Sequence, residues 1–333
     1  MSTPLRTAVI GAGQMGRLQA RVVSECEETE LVAVVDHAPE AERLARAAHA
    51  AWIRSADELP PLELAIVAVP TAEHAAVTTR LLKAGVPVLV EKPIAATVEE
   101  AEALIAAAAS AGVALGVGHV ERFNPAVRAL EQKLAGDELG RVFQVRAERL
   151  SPFPVRVGDT GVAFDLATHD LDLMCELAGT PIRITAEIDR KAHRTHEDLI
   201  AATLRFDSGI VGLLEVNWLT PTKVRRLTVT GEGGMFVVDY LNQHLTLFEN
   251  AHERESWLTL DFFDGVTEGD VTRFAIPREE PLRAQLEAFV RAVRGEAPPP
   301  VTGADGLRAL RLALAVVESG LGGHTVELPL GAV

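Results

Sequence analysis

The first third of the chain alternates between short runs of apolar, often β-branched residues and longer segments whose apolar residues recur at helical spacing. The short runs predict strands at 7–13, 31–36, 64–70, 86–93 and 113–118. The segments between them predict helices at about 14–26, 39–50, 72–84 and 97–111. Because these strands are almost continuously apolar and alternate with helices, we expect a parallel sheet covered on both faces.

After about residue 120, apolar and polar residues alternate over longer runs, which is typical of strands with one buried face. A helix is predicted at 124–135. The strands predicted after it are RVFQVRAERL (141–150), PIRITAEIDR (181–190), DLIAATLRF (198–206), GIVGLLEVNW (209–218), KVRRLTVTG (223–231) and GMFVVDY (234–240). Turn sequences such as DSG and GEGG join consecutive strands and favour an antiparallel sheet. Two more helices are predicted at 280–295 and 303–320.

The length of the chain, 333 residues, favours two domains, because single hydrophobic cores stop growing at roughly 250–300 residues. The change of pattern places the first domain at 1–120 and the second at 121–333. We expect the C-terminal helices to pack back on the first domain. The fold class is therefore α/β.

Charge and cysteine content narrow the class of partner. The formal net charge of −15 argues against nucleic acid or an anionic membrane, since both require a basic surface. Cys26 and Cys175 are the two cysteines, and they have no metal-ligand spacing, which suits a reducing compartment. The N-terminal residues lack the apolar core of a signal peptide. These features predict a cytoplasmic protein with a small-molecule substrate.

The first candidate for chemistry is the loop GAGQMG at 11–16, which has the G-x-G-x-x-G spacing between a strand and a helix. Glycines there allow a tight turn and let backbone N–H groups approach a pyrophosphate. Asp36, at the end of the second strand, can accept hydrogen bonds from a ribose diol, and no arginine follows it, so NAD is favoured over NADP. The residues assigned to NAD here are Gly11, Gly13, Gln14, Met15, Gly16 and Asp36.

Two further loops follow the carboxyl ends of predicted strands, where ligands of open α/β sheets bind. Lys92 emerges there, and Pro93 holds it extended; a surface lysine beside a turn-forming proline is the alternative. Thr71 can cap the helix that follows it, and His74 can touch the edge of the cofactor. From these loops the residues assigned to the cofactor are Pro70, Thr71, His74, Glu91 and Lys92.

The segment GVAFDLATHDLDLMCELAG (161–179) raises a different question. At helical spacing it places four polar residues on one stripe, namely Asp165, His169, Asp172 and Glu176. The stripe can be a solvated helix face, a metal site or a row of proton-transfer groups. We favour proton transfer, because hydride chemistry with NAD needs no metal and no second histidine sits at a helical ligand spacing. No metal is therefore predicted.

GAGQMG, the EKP at 91–93 and the G-x-x-x-D-x-x-x-H at 161–169 together resemble the glucose–fructose oxidoreductase and inositol dehydrogenase family. The resemblance implies a Rossmann domain plus an α/β domain built on a large open, mainly antiparallel sheet. It also implies a homo-oligomer, a dimer or a tetramer. It carries three roles to this chain: Lys92 reaches both substrate hydroxyl and cofactor, and Asp165 and His169 line the substrate pocket.

Longer blocks resemble the branch of this family that oxidises C3 of UDP-N-acetylglucosamine or its uronate. They are GHVERFNPAV (118–127), PFPVRVGDTGVAFDLATHDLD (152–172), HEDLIAATLRF (196–206) and NWLTPTKVRRLTVTGEGG (217–234). Gly161-Val162 replaces the two glycines of many relatives, as in the nucleotide-sugar branch. The function predicted is NAD-dependent oxidation of such a sugar. The alternatives are oxidation of a free sugar or polyol such as inositol, NAD-dependent glycoside hydrolysis, and a dinucleotide sensor without catalysis.

In the predicted mechanism, Lys92 and His169 converge on one hydroxyl group. An imidazole with a pKa of roughly 6.5 can accept the proton near neutrality, and the ammonium can stabilise a developing alkoxide. The sequence leaves open which of the two is the base, and we favour His169, with Asp165 orienting it or binding a neighbouring hydroxyl. The residues assigned to the substrate are Lys92, Arg122, Asn124, Arg156, Asp165 and His169. Lys223, Arg225 and Arg226 can bind an anionic substrate or are charged positions of an ordinary strand.

Overall fold

The computed structural model describes residues 3–154, 160–193, 195–251 and 268–328. The chain divides into two compact units. Unit 1 comprises Met1–Val120 and Glu280–Leu312, and unit 2 comprises Glu121–Glu279 and Ala313–Val333. Each unit has its own sheet.

Unit 1 is built on parallel strands that alternate with helices. Its strands are β1 (Leu5–Ile10), β2 (Thr29–Val35), β3 (Ala51–Ile53), β4 (Leu64–Val67), β5 (Val88–Val90) and β6 (Leu115–Val117). Its helices are α1 (Gln14–Glu25), α2 (Glu40–Ala47), α3 (Thr71–Lys83) and α4 (Val98–Ala111). In the described residues of unit 1, the sheet has the order β3-β2-β1-β4-β5-β6, and all of its pairs are parallel. The predicted parallel sheet is confirmed.

The order of these strands positions the candidate site. The chain runs outward in one direction from β1 to β3 and in the other direction from β4 to β6, so the order reverses between β1 and β4. Loops that follow the carboxyl ends of strands on either side of this reversal meet at one edge of the sheet, where ligands of such folds bind. The glycine loop follows β1, and the loops at 68–70 and 91–97 follow β4 and β5.

The core of unit 1 consists of buried strand residues and a helix from late in the chain. Val9 and Ile66 are 0% exposed, and α7 (Pro281–Val293) packs Leu286 and Phe289 into the same cluster. Burying one such side chain contributes roughly 1.5–3 kcal/mol. A capping box is present at the start of α4, where the hydroxyl of Thr97 accepts from the backbone N–H of Glu100.

Unit 2 contains the larger sheet. Its strands are β7 (Val142–Leu150), β8 (Pro181–Asp189), β9 (Leu199–Phe206), β10 (Val211–Asn217), β11 (Val224–Gly231), β12 (Gly234–Asp239), β13 (His244–Asn250), β14 (Glu268–Arg273) and β15 (Val326–Glu327). Their order within the described part of unit 2 is β14-β13-β12-β11-β7-β10-β9-β8-β15. Strands β7 and β10 pair in parallel and the other pairs are antiparallel, so the sheet is mixed and mainly antiparallel.

Helices cover one face of this sheet. Helix α5 (Pro125–Ala135) packs on β12 and β13, and α6 (Thr168–Ala178) packs on β7 and β10. The last helix, α8 (Gly303–Gly322), contributes residues up to Leu312 to unit 1 and residues from Ala313 to unit 2.

The main correction to the predicted elements concerns the polar stripe. The helix predicted at 161–179 begins as a π-helical turn, Ala163–Ala167, and becomes α-helical only at Thr168. Such turns change the angular spacing of side chains, so the regular stripe read at α-helical spacing is wrong at its N-terminal end. Strands β3, β13, β14 and β15 were not predicted.

Candidate active site

Two of the three glycines after β1 are required by the packing of unit 1 itself. Gly11 has a φ of +97°, and a Cβ atom there would lie 2.4 Å from the carbonyl oxygen of Ala68. A Cβ at Gly16 would lie 1.8 Å from the carbonyl oxygen of Gly11. Gly13 differs, because a Cβ at that position meets no atom within 4 Å among the described residues. The space above Gly13, at the N-terminus of α1, is therefore open.

Asp36 is tied to the same loop. One of its carboxylate oxygens accepts from the backbone N–H of Ala12 at 2.7 Å, and the other accepts from that of Ala38 at 2.8 Å. The indole N–H of Trp52 donates to the Asp36 carbonyl. These contacts fix a partly exposed carboxylate beside the glycine loop, and each oxygen keeps a lone pair for a ribose hydroxyl.

The residues fit a dinucleotide. The first N–H groups of a helix have no partner inside the helix and point outward with the positive end of its dipole. At α1 they face the open space beside Gly13, where a pyrophosphate can approach the backbone, and Asp36 supplies the acceptor for the adenosine ribose. Gln14 and Met15 are the first two residues of α1, Gln14 exposed and Met15 partly buried.

Lys92 lies in the loop after β5, and its peptide bond to Pro93 is cis. The loop is held by His74 of α3, which is 1% exposed. The His74 Nδ1 lies 2.8 Å from the Pro93 carbonyl oxygen, and its Nε2 lies 2.9 Å from the Val69 carbonyl oxygen. Burial lowers the pKa of His74, so the ring is neutral at pH 7 and donates to one of the two carbonyls.

This placement corrects the prediction that His74 touches the cofactor. Its ring is enclosed, and it ties the loop after β4 to the loop after β5, so it positions Lys92. Thr71 was considered as a helix cap, but it is the first residue of α3, and Pro70 occupies the cap position. Pro70 and Thr71 remain at the carboxyl edge of the sheet, as predicted for cofactor contacts.

Glu91 is also corrected. Its carboxylate is 7% exposed and accepts a 2.7 Å hydrogen bond from the side-chain amide of Gln19 on α1. Burial raises the pKa of Glu91, although the hydrogen bond from Gln19 and the charge of Lys92 oppose the shift. A side chain held inward in this way supports the loop rather than contacting the cofactor.

In unit 2, Asp165 and His169 are partly exposed and lie on the π-helical turn and the first turn of α6. Glu197 fixes the start of this segment, because its carboxylate accepts from the backbone N–H of Ala163 at 3.0 Å. A Cβ at Gly161 would lie 2.0 Å from the same carboxylate. The glycine of the G-x-x-x-D-x-x-x-H motif thus leaves the space that the Glu197 carboxylate occupies.

The residue after His169 anchors α6 to the sheet. Asp170 is 0% exposed, and its carboxylate accepts from Arg149 of β7 at 2.6 and 3.0 Å. The same guanidinium donates to Glu121 at 2.9 Å and lies over the ring of Tyr240. Burial alone lowers the pKa of Arg149, but the charges of Asp170 and Glu121 outweigh it and raise that pKa, so the arginine stays ionised.

The lower half of the stripe lies in ion pairs. Asp172 is 1% exposed and accepts a bidentate pair from Arg122, at 2.7 and 2.6 Å. Glu176 is exposed and pairs with the same guanidinium at 2.9 Å. Arg122 was assigned to the substrate, but its guanidinium is engaged in this ion-pair network, which fastens the 3₁₀ turn at Val120–Phe123 to α6.

Asn124 was likewise assigned to the substrate, and the structure gives it another role. It is the N-cap of α5: its side-chain oxygen accepts from the backbone N–H of Ala126, and its amide donates to the Tyr240 carbonyl. At 2% exposure it has no surface to offer a ligand. The Asn-Pro sequence at 124–125 is a helix-start signal that could have revealed this. Arg156, the remaining substrate assignment, lies outside the described residues.

Sequence reasoning missed Gln19, Glu121, Arg149, Asp170 and Glu197. They support the candidate residues through contacts that join distant parts of the chain, and no local pattern marks them.

Among the residues that the structure describes, no cluster of three or more His, Cys, Asp or Glu side chains is arranged to hold a metal ion. Within the same ranges, no helix combines the length and the apolar character needed to cross a membrane.

One unit of the chain has a Rossmann sheet with an open glycine loop, an acid after β2 and a lysine after β5. The other carries an Asp–His helix on a large sheet. Together these features define an NAD-dependent oxidoreductase of sugars and polyols. The chain belongs to the family of glucose–fructose oxidoreductase, inositol dehydrogenase and MocA. The model of the family's NAD-binding Rossmann fold matches residues 5–119, and that of its C-terminal alpha/beta domain matches residues 132–328.

Relatives of known function span nearly the whole chain. The chain is 32% identical over 317 residues to UDP-N-acetylglucosamine 3-dehydrogenase of Acidithiobacillus ferrooxidans, covering 94% of this chain and 96% of that protein. It is 27% identical to inositol 2-dehydrogenase of Rhizobium meliloti, covering 95% and 96%. A solved structure of the Acidithiobacillus enzyme superimposes with a TM-score of 0.85 at 30% identity, covering 96% and 98%. WlbA dehydrogenase of Bordetella pertussis, solved with NADH and UDP-GlcNAcA, shares the fold, with a TM-score of 0.80 at 23% identity over 98% and 99%.

Proposed function

We propose that this chain uses NAD to oxidise the C3 hydroxyl of a UDP-linked N-acetylated hexose or of its uronate. The observation that carries the proposal is the 32% identity, over 94% of the chain, to UDP-N-acetylglucosamine 3-dehydrogenase of Acidithiobacillus ferrooxidans. The proposal is consistent with Lys92 at the carboxyl edge of the Rossmann sheet and with Asp165 and His169 partly exposed at the start of α6.

The cofactor is proposed to lie with its pyrophosphate over Gly13 and the first turn of α1, and with its adenosine ribose on Asp36. When bound, NAD supplies the acceptor for the hydride that leaves the substrate carbon. Pro70 and Thr71 are proposed to contact it from the loop after β4.

The protein side chains are proposed to manage the proton of the same hydroxyl group. His169 removes that proton, and the Lys92 ammonium stabilises the negative charge that develops on the oxygen. Asp165 orients the imidazole or accepts from a neighbouring sugar hydroxyl. The contacts on either side support these roles: His74 holds the Lys92 loop, and the Arg149–Asp170 pair holds the helix next to His169.

The function is tested by following NADH formation with a panel of substrates at equal concentration. We expect NADH absorbance with UDP-N-acetylglucosamine or UDP-N-acetylglucosaminuronate, and none with free N-acetylglucosamine. Chemical analysis of the product should locate the new ketone at C3. Turnover of a free sugar or of inositol, without turnover of any UDP-sugar, would contradict the proposal.

The assignment of the base is tested separately by pH profiles. If His169 takes the proton, log kcat/KM of the wild type falls with unit slope on the acid limb of its pH profile, where the imidazole becomes protonated. His169→Asn should lower kcat by roughly 10²–10⁴-fold and remove that limb of the profile. A profile that keeps the limb in His169→Asn would move the role of base to Lys92.

Oxidation of inositol is the second candidate, because inositol 2-dehydrogenase of Rhizobium meliloti is 27% identical over 95% of the chain. The same panel separates the two functions when it includes myo-inositol. A kcat/KM for myo-inositol above that for every UDP-sugar would favour this candidate.

A further inference from the structure

Two arginines stand side by side on the sheet of unit 2. Strands β7 and β11 pair antiparallel, and their register places Arg225 directly opposite Arg149. Residues directly opposite one another in an antiparallel pair share a face of the sheet. Arg149 uses its face to reach Asp170 of α6, so Arg225 also points to the side of the sheet that carries α6.

The two guanidinium groups are neutralised unequally. Arg149 has two carboxylate partners, Asp170 and Glu121. Arg225 donates from one nitrogen, Nη1, to the carbonyl oxygens of Leu150 at 2.7 Å and Val224 at 2.9 Å. Within the described ranges, no carboxylate lies within ion-pairing distance of Arg225. Burial and, next, the like charge of Arg149 lower the pKa of Arg225 to about 10, and Asp165 is among the carboxylates whose charge opposes this shift.

A half-buried cation in this state is unfavourable unless an anion reaches it. The guanidinium has five donors in a planar fork, and the two Arg225 contacts above use only Nη1. Nε and Nη2 together match two oxygens of a phosphate or a carboxylate. Because Arg225 shares its face of the sheet with Arg149, this fork lies on the side of the sheet that carries α6.

The neighbouring cations of the same segment differ from Arg225. Arg226 is 53% exposed at its side chain, and its guanidinium lies 3.8 Å from a Glu148 oxygen. Lys223 is exposed, at the residue before β11. Neither is held in a half-buried position beside a second arginine. Of the cations at 223–226, Arg225 is therefore the one that the structure sets apart.

We propose that Arg225 is a specificity-determining residue that binds the anionic group of the substrate through Nε and Nη2. This deepens the proposed function, on which it rests for the class of substrate. The shared chemistry is a pair of anionic oxygens, and in the proposed substrates it has two sources, namely the diphosphate of the nucleotide sugar and the carboxylate of a hexuronate.

The test compares Arg225→Gln with Arg226→Gln, the matched control on the adjacent residue. Isothermal titration with NADH present measures the affinity for three probes: UDP, UDP-N-acetylglucosamine and UDP-N-acetylglucosaminuronate. Removing a charged hydrogen-bond donor weakens binding by roughly 10- to 100-fold. We expect a loss of this size with Arg225→Gln for at least one probe, an effect below about twofold with Arg226→Gln, and partial recovery in Arg225→Lys.

The probes distinguish the two sources. A loss of affinity for UDP itself assigns Arg225 to the diphosphate, and a loss confined to the uronate assigns it to the carboxylate. If Arg225→Gln binds all three probes as the wild type does, or if the wild type binds none of them, the proposal is wrong. Circular dichroism of each variant verifies folding, and Arg225→Lys retains the charge if the glutamine variant is unstable.

This outcome is independent of turnover. A wild type that binds UDP through Arg225 but forms no NADH with any UDP-sugar would retain the anion site and refute the proposed oxidation. If Arg225→Gln forms NADH with unchanged KM and unchanged binding, the proposed oxidation stands and the anion site at Arg225 is refuted.

Discussion

The two units hold their candidate catalytic side chains by opposite means. Around Lys92, the neighbours that the structure buries are ionisable groups shifted toward their neutral forms. Around His169, the buried carboxylates lie against arginines, and although burial raises the pKa of Asp170, the charge and the hydrogen bonds of Arg149 oppose that shift. A functional side chain can thus be positioned by neutral hydrogen bonds or by ion pairs, and the two arrangements respond differently to mutation and to pH.

In unit 1 the shifts have one cause. Burial lowers the pKa of His74 and raises the pKa of Glu91, so it disfavours the charged form of both groups that support the Lys92 loop. Supporting a loop with groups whose pKa values are shifted toward the neutral form costs little electrostatically, because burying a neutral group is cheaper than burying a charge.

In unit 2 the helix that carries His169 is fastened by two buried ion pairs. Arg149–Asp170 lies beside His169, and Arg122–Asp172 lies less than one turn further along. The desolvation of such pairs offsets much of their attraction, but breaking one leaves an unpaired buried charge. This side of the molecule should therefore be the more sensitive to removal of a single partner.

The largest expected effect on activity is from Lys92→Ala. Removing the charge that stabilises the developing alkoxide should lower kcat by roughly 10³-fold. The Kd for NAD should be nearly unchanged, because the proposed pyrophosphate and ribose contacts lie on Gly13 and Asp36. Lys83→Ala, at the exposed end of α3, is the control for loss of a lysine. Full activity of Lys92→Ala would place the active site elsewhere.

The comparison predicts a large loss of stability when one buried ion-pair partner in unit 2 is removed. Arg149→Met leaves Asp170 buried and unpaired, which should lower the free energy of unfolding by about 3–5 kcal/mol. Arg146→Met, on the same strand but at an exposed pair with Glu148, should cost at most about 1 kcal/mol. Urea unfolding measures both. The double variant with Asp170→Leu should recover most of the loss, and equal effects of Arg149→Met and Arg146→Met would contradict the comparison.

For unit 1, the corresponding change is His74→Leu, which leaves the Val69 and Pro93 carbonyls without their histidine contact. We expect a cost of about 1–3 kcal/mol, together with a lower kcat as the Lys92 loop loosens. Because the pKa of His74 is lowered in the folded protein, the unfolded chain binds the extra proton, and the wild type loses this stability as the pH falls through about 6.5. The difference in Tm between wild type and variant should therefore be larger at pH 8 than at pH 5.5. An equal difference at both pH values would mean that His74 does not titrate in this way.

The smallest effect concerns Glu131 of α5, an exception among the paired charges of unit 2. Burial and then the charge of Glu176 raise the pKa of Glu131 to about 7. A raised carboxyl pKa gives stability that is present below the unfolded value and lost as the pH rises through about 7. Glu131→Gln should therefore raise Tm by about 2–4 °C at pH 8, with no gain at pH 5.

Glu187→Gln, at an exposed carboxylate on β8, provides the control for that variant. A gain for Glu131→Gln of the same size at both pH values would point to packing rather than to charge.

Much of the fold could be predicted because apolar and polar residues follow a clear pattern along its helices and strands. The buried parallel strands of unit 1 are continuous apolar runs, and β7 to β12 alternate strictly enough to be found. Strands β3 and β15 have only 3 and 2 residues, too few for a period to show. The π-helical turn at Ala163–Ala167 has no periodic sequence signal, and the carboxylate that holds its first N–H belongs to Glu197, some thirty residues away in sequence.

The residues of the candidate site that could be predicted are those that lie at the end of a strand or within a motif. The positions of Gly13, Asp36 and Lys92 follow from the strand order. The roles of His74 and Arg122 do not, because a histidine or an arginine has the same sequence context when it holds two loops together as when it meets a ligand. Burial decides between these roles, and burial depends on packing between distant segments.

The three glycines of the loop after β1 differ in what they permit experimentally. Gly11 and Gly16 cannot accept a methyl group without displacing backbone, whereas Gly13 has a φ of −65° and open space around its Cα. An alanine at position 13 would enter only the open space where we propose that the pyrophosphate lies. We therefore expect Gly13→Ala to fold but to bind the dinucleotide more weakly. In that variant, binding of the sugar can be measured without the cofactor.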